Sequence, residues 1–209
     1  MIDVPKNRCG RSADLRKRQE IVLAAKRAFF DHGYAAASIE AIAADAGVSK
    51  VTVYNHFGDK RGLFVAAVEH ECENIRGQLL FDERGGSLRD RLIAFGRSMV
   101  TFLSRPEMIR FEQRIAAEVQ MEPELGECFL NAGPRRMHRA LAALLEREQA
   151  RKNLHIDDPM QAAEHLAAMC KGLADMERRF TGHTDAAAAD RRVQSAVDLF
   201  LRGYGNNGA

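Results

Sequence analysis

One stretch, Ser38 to Phe57 (SIEAIAADAGVSKVTVYNHF), leaves this chain few ways to fold. Ile39, Ile42, Ala43 and Ala46 recur at intervals of three and four, which gathers them on one side of a helix. Ser38 is placed to cap that helix, and Glu40 suits its first turn. Gly47 supplies the left-handed residue at which such a helix ends. Val48 bridges to a second cap at Ser49, and Val53 and Phe57 then face inward, four residues apart. Lys50, Thr52, Tyr54, Asn55 and His56 are left for the other faces. The small Ala43 lets two helices cross closely. The pattern predicts a helix-turn-helix over 38–57, its second helix, Val51 to Phe57, shaped to enter a DNA major groove. An ordinary corner between two short helices would carry much of the same pattern. The cations favour the DNA reading. Lys50 lies in the first turn of one helix, and Lys60 and Arg61 in the first turn of the next, behind the cap Asp59. A cation there opposes the helix dipole, and a phosphate offsets the cost.

Composition sets the limits. A chain of 209 residues, 46% of them apolar, can bury one large or two small cores. The formal net charge is only +2, yet Lys6, Arg8, Arg11, Arg16, Lys17 and Arg18 face a single acid, Asp14, in the same segment. Residues 1–14 are therefore expected to be a flexible basic arm that suits a polyanion, and a solvated tail would read the same way. No apolar run reaches membrane-spanning length, and the N-terminus lacks the apolar core of a signal peptide, so no membrane partner is expected. Cys9, Cys72, Cys128 and Cys170 are far apart without CxxC spacing, as for reduced thiols of a cytoplasmic protein.

No stretch alternates with period two for long enough to be a strand, so the fold class is all-α. A first helix over Asp14 to His32 carries Ile21, Ala25, Ala28 and Phe29 and ends at Gly33. A long helix from Asp59 to about Phe81 carries Phe64, Val68, Cys72, Ile75 and Leu79. Ser87 and Asp90 form a capping box for a helix with Leu88, Leu92, Phe95, Met99 and Phe102. The next runs from Glu107 to about Met121 with Met108, Phe111, Ile115 and Val119 inward; within it, Arg114 and Glu118 are spaced to pair with each other. A short turn follows Pro123, and a helix from Pro134 carries Met137, Leu141, Leu144 and Leu145. Asp158-Pro159 opens a helix running to Gly182, and Asp185 opens the last, with a frayed tail from Gly203.

The stretch IVLAAKRAFFDHGYAAASIEAIAADAGVSKVTVYNHFGDKRGLF resembles the N-terminal domain of TetR-family bacterial transcriptional regulators. The AA..FF..HGY helix end, the IA..AGVS turn, the TVYNHF recognition helix and the GDK-LF entry to the fourth helix carry the likeness together. It covers about residues 15 to 75. Val51 and Ser38 depart from residues common at those places in the family, and Val51 bears on base preference. Phe111 to Gly172 is similar to the AefR-like C-terminal group of the same family. The resemblance implies about nine helices: a DNA-binding domain over 15–75 and a ligand-binding and dimerisation domain over 76–209. It implies that Ser38, Ser49, Lys50, Thr52, Val53, Tyr54, His56 and Lys60 meet an operator. Ser49, Lys50, Tyr54 and Lys60 would hold phosphate, while Thr52, Val53, Tyr54 and His56 would meet bases or nearby sugar-phosphate. It also implies that the last two helices meet their copy in a homodimer; Leu166, Leu173, Val193, Val197, Phe200 and Tyr204 supply the apolar excess.

Nothing points to catalysis, a metal or a cofactor. HExxH, GxSxG and P-loop motifs are all missing. Glu69, His70, Cys72 and Glu73 lie close together, but Glu69 and Glu73 share a polar helix face while Cys72 belongs to the apolar stripe. His165 sits beside an apolar stripe as a core or rim residue. Phe95, Met99, Phe102, Phe111, Met137 and Met169 are core residues first, and adaptable methionines among aromatics would also line a pocket for a small apolar or aromatic effector. The expected function is a repressor released from a palindromic operator by such an effector. The alternative is a helical small-molecule-binding protein without operator binding.

Overall fold

A computed structural model describes residues 8–80 and 86–206; part of the basic arm, Lys6 included, lies outside them, as do the side chains of Ile75 and Leu79. Among the described residues the chain is helical throughout: α1 (Arg8–His32), α2 (Ile39–Asp45), α3 (Lys50–Phe57), α4 (Lys60–Leu80), α5 (Leu88–Leu103), α6 (Pro106–Glu118), α7 (Pro123–Ala132), α8 (Pro134–Ala150), α9 (Pro159–Lys171), α10 (Ala174–Thr181) and α11 (Ala186–Tyr204). The first helix starts at Arg8 rather than Asp14, so the second half of the expected arm is helix. Residues 123–132, expected as a turn, form α7.

The chain divides into two compact units. The first takes the chain through Glu71 together with Arg114–Ala132; the second takes Cys72–Gln113 and Gly133 onward. The first unit thus includes a later segment of the chain. In the first unit, Ile21, Ala25 and Phe29 of α1 meet Ile42 and Ala43 of α2, Val53 of α3, and Leu63 and Phe64 of α4, all buried. Phe29 and Tyr34 stack at 5.8 Å, and Phe64 meets both edge-on at 5.4 and 5.3 Å. Such aromatic contacts add roughly 0.5–1.5 kcal/mol each beyond the area they bury.

In the second unit, α5, α8, α9 and α11 enclose one apolar core. Gly96 lets α5 pack closely on α11 and α9: a Cβ there would lie 2.7 Å from Val193 Cγ1 and 3.1 Å from Cys170 Sγ. Burial pushes the Cys170 thiol up to about 11, so it packs as an apolar group and stays protonated at neutral pH.

Two sets of residues singled out by the sequence meet this core. Phe95 and Met99 lie inside it and Phe111 is also fully buried, while Phe102, Met137 and Met169 pack against it from the rim. None of the six is on the walls of the hollow beside Gly172 or of the wider groove next to it. Leu166, Val193, Val197 and Phe200, expected at a dimer interface, are at most 1% exposed in the single chain. A side chain consumed by its own core has no surface left for a partner. Tyr204 is half-buried against Phe200, ring centroids 4.7 Å apart, and its hydroxyl bonds Nδ1 of the exposed rim residue His165 at 2.8 Å.

The helix expected from Asp158 to Gly182 is interrupted. Asp158 caps α9 through the Met160 and Gln161 amides, but Gly172 adopts φ +55° and ends it, and α10 leaves in a new direction. Leu173, Met176 and Phe180 are consequently exposed, at 69, 58 and 83%. The chain end is also more ordered than expected. His155 N–H donates to the Tyr204 carbonyl at 2.8 Å, and Asn206 N–H to the Asn153 carbonyl at 3.2 Å.

Candidate nucleic-acid interface

The turn between α2 and α3 is built from local hydrogen bonds. Ser38 Oγ accepts from Ala41 N–H at 3.1 Å, and Ser49 Oγ accepts from Thr52 N–H at 3.1 Å. Gly47, at φ +65°, sits between them, and Val48 N–H returns to the Ala43 carbonyl at 3.0 Å. Beyond α3, Asp59 Oδ1 accepts from Gly62 N–H at 2.7 Å and so starts α4. Gly62 is required there, because any Cβ would overlap the Phe57 carbonyl. Nothing in the periodicity singled out Gly62.

Packing then decides which face of α3 is available. Val53 is 1% exposed and anchors the helix, so it cannot reach a base. His56 turns toward α1, its Nε2 3.3 Å from Asp14 Oδ1 and its side chain 15% exposed. Phe57 lies under the Arg18 guanidinium at 5.0 Å. The outward face carries Lys50, Val51, Tyr54 and Asn55, with Thr52 half-buried at its edge. Val51 is 66% exposed and Tyr54 40%, three residues apart on one side. Sequence reasoning left Val51 and Asn55 out of the contact set; their exposure follows from Val53 pointing in. Lys50 pairs with Glu40 of α2 and lies 5.7 Å from the centre of the Tyr54 ring.

Lys60 has a structural role at its position. Its Nζ donates to the Ala35 carbonyl at 3.1 Å and lies 4.6 Å from the centre of the Tyr34 ring, and burial lowers its pKa from the ordinary lysine value. The loop it holds, residues 33–35, is gripped from the other side by α6. Glu118 accepts from the Tyr34 and Ala35 amides at 3.0 and 3.2 Å, and Arg114 donates to the Phe30 carbonyl at 2.6 Å. The two residues expected to pair with each other thus hold opposite ends of one turn. The cation sits at the carbonyl end of α1, where the dipole favours it. Gly33 lies between them at φ +89°, and any Cβ would overlap the Glu118 carboxylate.

A three-helix unit that buries α2 and presents one polar-edged face of α3 defines a helix-turn-helix regulator of the DNA-binding class. Comparison with known proteins gives the family. Residues 21–67 match the family model of bacterial regulatory proteins, tetR family, and residues 90–206 match that of the AefR-like transcriptional repressor, C-terminal domain. The chain belongs to the TetR family. A solved structure described as a TetR-family transcriptional regulator from Mesorhizobium loti is 31% identical, with a TM-score of 0.75 over 92% of this chain and 98% of that one. The structure of the flavonoid-responsive regulator FrrA is 29% identical, with a TM-score of 0.73 over 92% of this chain and 99% of that one. The HTH-type transcriptional repressor AcnR of Corynebacterium efficiens is 28% identical over 51% of this chain. That match spans about half of AcnR, 53% of its length. No described helix is long and apolar enough to cross a membrane.

Proposed function

We propose that the chain is a sequence-specific DNA-binding homodimer, a repressor that leaves a palindromic operator when a small effector binds its second unit. The outward face of α3 carries this reading. Val51 and Tyr54 are exposed on this face, flanked by Lys50 and Asn55. A valine suits a thymine methyl, and an asparagine can bond an adenine edge. Ser38, Ser49, Lys50 and Lys60 lie at the starts of α2, α3 and α4, where phosphate is favoured. The AcnR and FrrA matches support a regulator, and the name of FrrA supports an aromatic effector. A helical binding protein without operator binding would have no use for that face. Tyr54→Ala should weaken binding to DNA flanking its own gene roughly tenfold in a mobility-shift assay, while leaving binding to unrelated DNA unchanged. Equal loss on both DNAs, or no binding by the wild-type protein, would count against the reading.

Dimerisation is proposed through the face that Leu173, Met176 and Phe180 expose on α10, in place of the buried residues first expected. Three large apolar groups on one side of a short helix form an unusual surface for a monomer. Phe180→Asp should raise the dimer dissociation constant roughly 30-fold or more and leave the helical content of the protomer unchanged, because Phe180 is 83% exposed in its own chain. Analytical ultracentrifugation reads the first quantity and circular dichroism the second. A wild-type protein that sediments as a monomer at micromolar concentration would overturn the proposal.

A further inference from the structure

The second unit holds a hollow of about 220 Å³ beside the break between α9 and α10. Its walls come from the end of α5, the start of α11 and the residues around Gly172. The arrangement centres on Arg192. A Cβ on Gly172 would lie 2.9 Å from Arg192 Cδ and 3.1 Å from its Nε, so the arginine stem lies flat against backbone that only glycine leaves open. This close packing orients the guanidinium. Its Nη1 is buried and has no hydrogen-bond partner among the described residues, although the residue lines the hollow. An arginine keeps its charge at any working pH, and a buried donor without an acceptor is costly, so such a group is suited to an acceptor that arrives from outside.

Of the three carboxylates on the wall, Glu177 is exposed to solvent and the other two are engaged. Asp175 accepts from Arg178 at 2.7 Å and pairs with Arg179, and Asp185 caps α11 by accepting from Ala188 N–H at 3.0 Å. Ser104 and Lys171 add donors to the wall, and Val100, Leu103 and Ala189 add an apolar side. A wider groove of about 520 Å³ shares Val100, Ser104 and Ala189 with it and gives an organic body room to extend.

We propose that this hollow binds a small organic carboxylate, with Arg192 meeting the carboxylate and Val100, Leu103 and Ala189 covering its apolar body. The inference rests on the effector-responsive reading above and names the chemistry of the effector. Arg178, on the same wall, donates to Glu112 at 2.8 Å.

Calorimetric titration of the full chain with benzoate, hexanoate and the uncharged benzamide tests the proposal without DNA. At least one of the two carboxylates should bind saturably with a millimolar or tighter dissociation constant, and benzamide roughly tenfold more weakly than benzoate. Arg192→Gln should weaken carboxylate binding by roughly tenfold or more and abolish the preference over benzamide. Ala189→Met, which fills the apolar side without touching the charge, should also block binding; it carries the test if Arg192→Gln melts well below wild type. No saturable binding of either carboxylate, equal binding of benzamide, or unchanged affinity in both variants would overturn the site. A mobility-shift assay in the presence of the bound carboxylate reads the regulatory role separately. Binding without release of DNA leaves the site standing and counts against the effector reading.

Discussion

Glu148→Ala should cost the fold about 3–5 kcal/mol, the penalty typical of breaking a buried ion pair by removing one partner. The Glu148 side chain is fully buried, and three donors converge on it: Arg91 at 2.9 Å, Arg151 at 2.8 Å and Asn153 at 2.7 Å. Together they fasten α8 to α5 and to the loop that leads into α9. Without the carboxylate, two guanidinium groups and an amide lose their common acceptor. For a chain of this length the melting temperature should fall by roughly 10 °C. The pH dependence follows from the same contacts. Burial alone would raise the Glu148 pKa, but the bonds from Asn153, Arg91 and Arg151 more than offset it and leave it below the ordinary glutamate value of 4.5. The stabilisation is therefore complete above that value and lost as pH falls through the lower folded-state value. Melting curves of the two proteins should converge in that acid range. A gap that persisted unchanged at the lowest pH would show that the loss comes from packing and not from charge.

Raising the salt from roughly 50 to 200 mM should weaken operator binding by roughly three to five orders of magnitude, if a dimer neutralises about 6–10 phosphates. The chain has a net charge of only +2, so this dependence must come from placed cations and helix starts and not from a globally basic surface. Lys50→Ala should weaken binding to every sequence alike and flatten the slope by about two for a dimer, one for each protomer. Lys60→Ala should do the same and also lower the melting temperature, because its ammonium holds the Ala35 carbonyl and covers the Tyr34 ring. Fluorescence anisotropy over a salt series measures both slopes. A flat dependence would remove the phosphate contacts from the proposal, and with them the roles given to Lys50 and Lys60.

The legible parts of this protein were those settled within a few residues of chain. Ser38, Ser49, Ser87, Asp158 and Asp185 all cap helices as their positions suggested, since a cap needs only its own side chain and an amide two or three residues on. Gly47 and Gly182 take left-handed conformations for the same local reason. Helix periodicity located the all-α architecture and the helix-turn-helix because a 3.6-residue repeat is a property of the segment alone. Periodicity does not say which of two apolar faces a neighbour will cover. Val53 was expected to meet DNA, but it is buried, which leaves Val51 and Asn55 outward. Val193, Val197 and Phe200 looked surplus to one core until α5 and α9 closed over them, while Leu173 and Phe180 were left exposed by a single break at Gly172. Arg114 and Glu118 have the spacing of an intrahelical pair. Only the approach of the turn at Gly33 gave them backbone groups to hold, a long-range contact that the spacing of the two residues cannot show.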